Sequence, residues 1–244
     1  MKKVKYTLAT LMVAAIVAVV LVGCKKEEEN SGRASMNESN CIDLASMPIY
    51  FNEKLVESFS ESDYLPSKDA DMDLVCIVDN YGQHYFNQDL IFNQFCTANQ
   101  METIYQYSGK LNLINQKALE LGLEDADMED APQTMADYWQ SVFGYSIDYA
   151  TSTNRSIAIK LYDGGHWDGK SKTFFVPCKS KLGDMDDKTS SFSQFIGGGA
   201  TVFCYNKWFG GTRRWYWFVG GQSYFTIENL ADNNQYSSYF TVLL

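Results

Sequence analysis

Apolar and polar positions alternate with a helical period in the first half of this chain. Between residues 97 and 122, apolar side chains recur every three or four positions, which predicts an amphipathic helix. Thr97 and Gln100 have the spacing of an N-terminal capping box, and Gly122 fits the position just after a helix end. The expected buried face carries Met101, Ile104, Leu111, Ile114, Ala118 and Leu121.

Two shorter patterns complete this half of the chain. A helix from Met135 to Phe143 is predicted, with Thr134 as its cap and Gly144 as its end. An apolar, β-branched run over residues 72 to 78 predicts a buried strand, and residues 83 to 86 continue it as a hairpin. We therefore expect an α-rich α+β region of unknown fold.

The second half follows the period of two that is typical of strands. Residues 156 to 162 alternate between apolar and polar side chains, and the turn Asp163-Gly164-Gly165 follows them. Residues 201 to 203 and 212 to 219 have the same strand character. Short β-rich runs between Gly and Asn/Asp clusters predict an all-β antiparallel sandwich.

Two motifs occur twice in this half, in the same order. An aromatic-x4-aromatic-x-Gly pattern is present at Tyr162, Trp167 and Gly169, and again at Phe203, Trp208 and Gly210. The hexapeptide DDKTSS at residues 186–191 is matched by NNQYSS at residues 233–238. Two different patterns that recur together indicate a duplicated structural unit.

This arrangement resembles the microbial calcium-binding branch of the βγ-crystallin family over residues 156 to 244. The resemblance implies a Greek-key sandwich in which each hexapeptide, completed by a hairpin carbonyl, offers oxygen ligands to one Ca²⁺. The implied ligands are Asp186, Asp187, Lys188, Ser190 and Asp163 for one ion, and Asn233, Asn234, Gln235, Ser237 and Cys204 for the other. The first site is expected to be tighter because it has carboxylates. The alternative is a pair of polar turns whose side chains satisfy their own backbone.

The first 23 residues have the features of a targeting segment. Three lysines within the first five residues precede an almost wholly apolar run, and Leu21-Val22-Gly23-Cys24 resembles a bacterial lipobox. We expect a lipid on Cys24; the alternative is a transmembrane helix, for which the run is short. Residues 24 to 45 form a charged, flexible tether that resembles the export signals of Bacteroidetes surface lipoproteins. The expected location is the outer membrane, with the protein exposed at the cell surface.

Charge divides the rest of the chain into two unlike parts. Residues 36 to 155 contain 20 acidic and 5 basic side chains, whereas residues 156 to 244 contain 7 acidic and 9 basic. We predict an acidic α-rich region over residues 46–150 and a separate crystallin-like domain over residues 155–244. The acidic part argues against nucleic acid as a partner, since phosphates require a cationic surface.

The other chemically reactive side chains do not form a known pattern. Acidic runs at residues 69–73 and 125–129 lack the Gly and the Glu of an EF-hand loop. His84 with Cys76 or Cys96 is the nearest approach to a Cys–His nucleophile, but no local signature surrounds it. Five cysteines remain besides the lipobox cysteine, so at least one is free or pairs outside the chain.

The expected function is calcium binding that stabilises the sandwich of a lipid-anchored protein with no enzyme activity. Exposed aromatic side chains near the calcium loops, among Trp215, Tyr216 and Trp217, are expected to meet a glycan or protein ligand. Two alternatives belong to other classes. One is a proteinase inhibitor or toxin-like effector on the crystallin fold, and the other is an enzyme seated in residues 46–150.

Overall fold

The computed structural model describes residues 41–57, 72–153, 157–196, 199–217, 221–226 and 235–243. The predicted signal peptide and Cys24 lie outside these residues, as do Asn233 and Asn234. Within the described ranges, no helix is long and apolar enough to cross a membrane. Residues Asn40–Leu244 form one compact unit.

The strands described in the first half are β1 (Cys41–Asp43), β2 (Ile49–Phe51), β3 (Lys54–Val56), β4 (Val75–Val78) and β5 (Gln83–Phe86). The last two form the predicted antiparallel hairpin. Asp79 Oδ1 closes its turn by accepting hydrogen bonds from the backbone N–H groups of Tyr81 and Gly82. Glycine is required at residue 82 because a Cβ there would lie 2.7 Å from the Pro48 carbonyl oxygen.

The described α-helices are α1 (Asp89–Ala98), α2 (Glu102–Glu120), α3 (Gln133–Phe143) and α4 (Ile147–Thr151). The capping box predicted at Thr97 is wrong, because Thr97 belongs to α1 and Met101 is the residue before α2. Gln100 has a φ of 58°, and the Met101 N–H donates to the Cys96 carbonyl. The sequence pattern predicted that one helix begins near residue 97. The structure instead has a turn there, between the end of α1 and the start of α2.

The apolar face and the ends of these helices agree better with the sequence. Ile104, Leu111, Ile114 and Ala118 are all buried on α2, as predicted. Gly122 and Gly144 end α2 and α3 with φ values of 65° and 82°, which favour glycine. However, α3 begins at Gln133 after Pro132, so Thr134 lies inside the helix and does not cap it.

The second half of the chain contributes most of the described strands. They are β6 (Ile157–Tyr162), β7 (Ser171–Phe174), β8 (Cys178–Lys179), β9 (Ser191–Ile196), β10 (Gly199–Cys204), β11 (Arg213–Trp217), β12 (Gly221–Thr226) and β13 (Ser238–Leu243). One sheet has the order β1-β12-β9-β6-β7, and the other has the order β3-β2-β5-β4-β11-β10-β13-β8.

The duplicated unit appears directly in this strand order. The first unit is β6 to β9 and the second is β10 to β13, and each has its own hairpin. The third strand of each unit pairs with the fourth strand of the other, β8 with β13 and β12 with β9. This exchange interlocks two Greek keys, so the predicted Greek-key sandwich is confirmed.

Strands from the first half extend both sheets. β4 pairs in parallel with β11, and β1 pairs in parallel with β12. The tether predicted over residues 24–45 therefore ends in a strand. Residues 46–150 and 155–244, which the charge pattern predicted as separate domains, are parts of the one compact unit.

Three layers result, because the eight-stranded sheet is covered on both faces. On β4, Val75 and Ile77 pack in the cluster that includes the helices, whereas Cys76 and Val78 pack in the cluster between the two sheets. Trp139 of α3 is fully buried in the first cluster. Burial on both faces explains why residues 74 to 78 are apolar without alternation.

We predict that the two parts unfold in a single transition. Ile77→Ala should lower the free energy of unfolding of the whole unit by about 2–5 kcal/mol, because it leaves a cavity between the helices and the shared sheet. Urea unfolding followed by far-UV and near-UV circular dichroism measures this. The control Leu55→Ala, at a side chain that is 67% exposed, should change it by less than about 0.5 kcal/mol. Two resolved unfolding transitions, of which Ile77→Ala shifts the midpoint of only one, would contradict this prediction.

Candidate metal centre

The two β-hairpins that border the predicted calcium sites have the same internal hydrogen bonds. In the first, the Asp163 N–H donates to the Lys170 carbonyl at 3.0 Å. In the second, the Tyr205 N–H donates to the Thr212 carbonyl at 3.1 Å. Each bond closes a loop of the same length, so Tyr205 is the structural counterpart of Asp163.

This correspondence shifts the second hairpin by one residue from the repeat seen in the sequence. Tyr162 corresponds to Cys204 rather than to Phe203, since each is the last residue of the first hairpin strand. Trp167 corresponds to Phe209 rather than to Trp208, because the residue after each of them, Asp168 or Gly210, accepts the inner hydrogen bond of its hairpin. The pattern misaligned the hairpins because aromatic side chains occupy both residues 208 and 209, and glycines occupy both 210 and 211.

The hydroxyl pair that ends each hexapeptide confirms the new alignment. Ser191 Oγ accepts from the Trp167 N–H at 3.0 Å, and Ser238 Oγ accepts from the Phe209 N–H at 3.1 Å. Each hydroxyl also donates to a carbonyl of its hairpin, at 2.7 and 2.6 Å. The final serine of each hexapeptide is thus a structural clamp on its hairpin.

The backbone carbonyl of Cys204, which was predicted to be a ligand of the second site, instead accepts a backbone hydrogen bond. Its carbonyl accepts the Ser237 N–H at 3.0 Å, just as the Tyr162 carbonyl accepts the Ser190 N–H at 2.9 Å. Burial raises the pKa of the Cys204 thiol to about 12, so a thiolate ligand is disfavoured at neutral pH. At the position of Asp163, the structure places Tyr205 and not Cys204.

The fifth residues of the two hexapeptides occupy different surroundings. Ser190 Oγ donates to the Asp163 carbonyl at 3.2 Å, which joins the first hexapeptide to the first hairpin. Ser237 Oγ instead donates to Asp187 Oδ1 at 3.1 Å. A carboxylate of the first hexapeptide therefore lies beside a hydroxyl of the second. The sequence-based prediction instead takes the hexapeptide ligands of each ion from a single hexapeptide.

The remaining predicted ligands lie around this contact. Lys188 and Gln235 are exposed, so each can offer a backbone carbonyl, and Asp187 has a φ of 51°. Asp186 Oδ1 is buried with no hydrogen-bond partner in the described part of the chain, and Asp186 Oδ2 lies 3.9 Å from Lys207 Nζ. An unpaired buried carboxylate oxygen fits a nearby cation, because burial makes an unsatisfied acceptor costly.

The donor set is mostly hydroxyl, carbonyl and amide oxygen. Over the described residues, no group of three or more His, Cys, Asp and Glu side chains is placed to hold a metal. Zinc and other metals that prefer nitrogen or sulfur are therefore disfavoured here. Ca²⁺ accepts carbonyl, hydroxyl and carboxylate oxygens together, so the residues present fit that ion.

A groove of about 660 Å³ opens beside the Asp187–Ser237 contact. Lys207 stands at its edge, with Nζ 2.9 Å from Asp125 Oδ1. The hydrogen bond from Lys207 lowers the pKa of the Asp125 carboxyl, and the same bond raises the pKa of Lys207. The groove is lined by Asn115, Leu119, Glu124, Asp125, Asp187, Tyr205, Asn206, Lys207, Gln235 and Ser237.

The aromatic side chains expected to be exposed near the loops are mostly internal. Trp215 is fully buried and its indole N–H donates to Ser108 Oγ at 2.9 Å. Tyr216 is also fully buried, between the two sheets. Trp217 is partly buried against the helices. The expected glycan or protein surface on Trp215 and Tyr216 is therefore wrong, because the sheet that contains β11 is covered on both faces.

Two carboxylates of the second acidic run pair with different lysines. Asp125 pairs with Lys207, whereas Glu129 pairs with Lys179. Of the earlier run, residues 69 and 71 lie outside the described residues, and Asp73 lies 3.8 Å from Arg213 Nη1.

His84 and the described free cysteines are internal, but the cysteines belong to two different clusters, Cys76 between the sheets and the others beside the helices. The His84 ring stacks on Tyr50, with its two nitrogens each 3.6 Å from a carboxylate oxygen, of Glu53 and of Asp79. Burial raises the pKa of the Cys96 thiol to about 12, which disfavours a nucleophilic thiolate. The described free cysteines, all buried, are Cys76, Cys96, Cys178 and Cys204.

The second half of this chain is similar in structure to several solved βγ-crystallin domains, each of which covers about a third of the chain. No protein-family model and no curated protein matches it. A βγ-crystallin from an archaeon is 22% identical over 36% of this chain and 99% of its own, with a TM-score of 0.29. A βγ-crystallin domain from Flavobacterium johnsoniae is 18% identical over 35% and 93%, with a TM-score of 0.28. One from Ciona intestinalis is 17% identical over 35% and 99%, with a TM-score of 0.28. The fold assignment rests on the interlocked strand order, and not on these scores.

We predict that the hydroxyl clamp on the second hairpin is structural. Ser238→Ala should lower the free energy of unfolding by about 1–3 kcal/mol, because the buried Phe209 N–H loses its acceptor. Chemical denaturation measures this, with Lys188→Ala, an exposed side chain of the other hexapeptide, as the control. A loss no larger than that of the control would show that the one-residue shift of the hairpin is not supported.

Proposed function

We propose that this protein is a calcium-binding lipoprotein anchored at the bacterial cell surface, in which Ca²⁺ binds to the crystallin-like part and stabilises it. The observation that carries the proposal is the contact between Asp187 Oδ1 and Ser237 Oγ at 3.1 Å. It brings a carboxylate and a hydroxyl from two distant hexapeptides to one place, next to the hairpin residue Tyr205. Oxygen ligands of these kinds suit Ca²⁺.

Two sites of unequal strength follow from the crossed arrangement. The first, which we call the Asp187 site, combines the Asp187 carboxylate, the Ser237 hydroxyl and the Tyr205 carbonyl. The second, which we call the Ser190 site, combines the Ser190 hydroxyl and the Asp163 carbonyl; its remaining predicted ligands, Asn233 and Asn234, lie outside the described residues. Because carboxylates bind Ca²⁺ more strongly than amides, the Asp187 site should be the tighter one.

Calcium at these sites joins segments that are far apart in the sequence. The Asp187 site links the loop before β9 to the loop before β13, and both loops follow strands exchanged between the two Greek keys. A ligand that binds only the folded state stabilises it by mass action. We therefore assign calcium a structural role, with no catalytic step.

We predict that Asp187→Asn weakens the tighter binding step by about tenfold or more, equivalent to about 1.4 kcal/mol, because it removes the charged ligand and keeps the shape. Ser237→Arg should abolish the same step, whereas Ser190→Arg should abolish only the weaker one. Calorimetric titration of the full chain with Ca²⁺ measures both steps, and melting temperatures show whether each variant folds. Asp184→Asn, an exposed carboxylate in the same loop, is the control. If the wild type gives neither heat nor a thermal shift with Ca²⁺, the proposal is wrong.

The membrane anchor is tested separately. Cys24→Ala should leave the precursor uncleaved and without lipid, because that cysteine is both the cleavage point and the site of the acyl chains; its mass should therefore differ from that of the lipidated protein by the signal peptide and the lipid. The mass of the protein from cells measures this. Cys41→Ala is the control, since that cysteine lies outside the lipobox. An unchanged mass in Cys24→Ala would exclude the lipoprotein assignment.

A further inference from the structure

The groove beside the Asp187 site is built from both parts of the compact unit. One wall comes from the crystallin-like part, and the other comes from α2 and the loop that follows it. The side chains of that second wall are Asn115, Leu119, Glu124 and Asp125. The crystallin repeat by itself does not contain this wall.

Specific contacts hold the two walls together. The Trp208 indole N–H donates to the Ala126 carbonyl at 3.0 Å, and Lys181 Nζ donates to the Asp125 carbonyl at 3.2 Å. Asn115 lies so close over Gly210 that a Cβ on that residue would be 2.6 Å from Asn115 Nδ2. The groove therefore has a defined shape, and its volume falls within the range of about 300–1,000 Å³ that is usual for small-ligand sites.

The lining side chains are rich in groups that pair with hydroxyls. Three planar amides, Asn115, Asn206 and Gln235, offer a donor and an acceptor each, and Glu124 adds an acceptor. The Tyr205 ring is only partly buried and offers an apolar face beside them. We propose that this groove binds a neutral sugar through its neighbouring hydroxyl groups.

The proposed calcium ion explains why a neutral ligand is favoured, and in this respect the inference rests on the proposed function. Three carboxylates, Glu124, Asp125 and Asp187, line the groove with one ammonium, Lys207. Ca²⁺ at the Asp187 site offsets the excess negative charge. Neither an anionic nor a strongly cationic ligand then gains from the groove.

The same ion provides the means of holding the sugar. Ca²⁺ takes six to eight oxygen ligands, and the Asp187 site as defined above provides three of them from the chain. Asp187, Ser237 and Tyr205, which would hold the ion, all line the groove, so a bound ion would offer a contact for the oxygen atoms of a ligand there. With the ion bound, two adjacent hydroxyls of a sugar would meet it, while the amide of Asn115 on the opposite wall and those of Asn206 and Gln235 on the near wall would exchange hydrogen bonds with the remaining hydroxyls.

The test uses the full chain with methyl α-mannoside and methyl β-galactoside, whose neighbouring hydroxyl pairs differ in geometry. Binding is followed by saturation-transfer NMR and calorimetry at millimolar sugar, in CaCl₂ and in EGTA. We expect binding of at least one sugar in calcium and its loss in EGTA. Asn115→Leu should weaken that binding about tenfold or more with Ca²⁺ heats unchanged, because it removes an amide that is not a proposed calcium ligand, and its melting temperature shows whether the variant is folded.

The matched control is Gln116→Leu, an exposed amide on the same helix that does not line the groove, and it should bind sugar as the wild type does. Normal Ca²⁺ heats with no binding of either sugar would overturn the inference and leave the proposed function intact. Equal sugar binding in EGTA would overturn the role given to calcium here. Absence of Ca²⁺ heat in the wild type would instead overturn the proposed function itself.

Discussion

The parallel pairing of β4 with β11 is the contact on which the arrangement of this molecule depends. It places the β4–β5 hairpin on what would otherwise be an open edge of the crystallin-like sheet, and open edges favour association with other chains. Arg214 of β11 fastens the junction: its buried guanidinium donates to Gln83 Oε1 at 3.1 Å and also to the Tyr85 hydroxyl. With the edge extended, the helices can cover one face of a single wide sheet.

The covering helices make the two Greek keys unequal. Phe209 occupies the aromatic position of the second hairpin that Trp167 occupies in the first. The neighbouring Trp208 points its indole toward the loop after α2. The second hairpin thus keeps the structural role of the repeat through Phe209 and gains a docking role through Trp208. For this reason the groove forms beside the Asp187 site, where the hairpin and the helices meet.

The uneven charge of the chain has a related explanation. Lys179 and Lys207 of the nearly neutral part pair with Glu129 and Asp125 of the acidic part. Charges that look like a sign of two separate domains in the sequence are therefore partly complementary across one boundary. Exposed pairs of this kind add little stability, so they orient the acidic loop and the buried sheet supplies the cohesion.

The sequence by itself determined the local elements of this protein. The apolar face of α2, the glycine ends at Gly122 and Gly144 and the β4–β5 hairpin follow from periodicity and turn residues, because these depend on neighbours in the chain. The two repeated motifs indicated the duplicated unit, and their resemblance to the crystallin family implied its Greek-key linkage. Only the tertiary structure decided which elements meet. Periodicity shows that a strand is buried but does not show which partner buries it, so β4 beside β11 and Asp187 beside Ser237 were not foreseen. The alignment of the second hairpin also had to come from its hydrogen bonds, because adjacent aromatics and adjacent glycines fit the repeat in two ways and backbone pairing selects one.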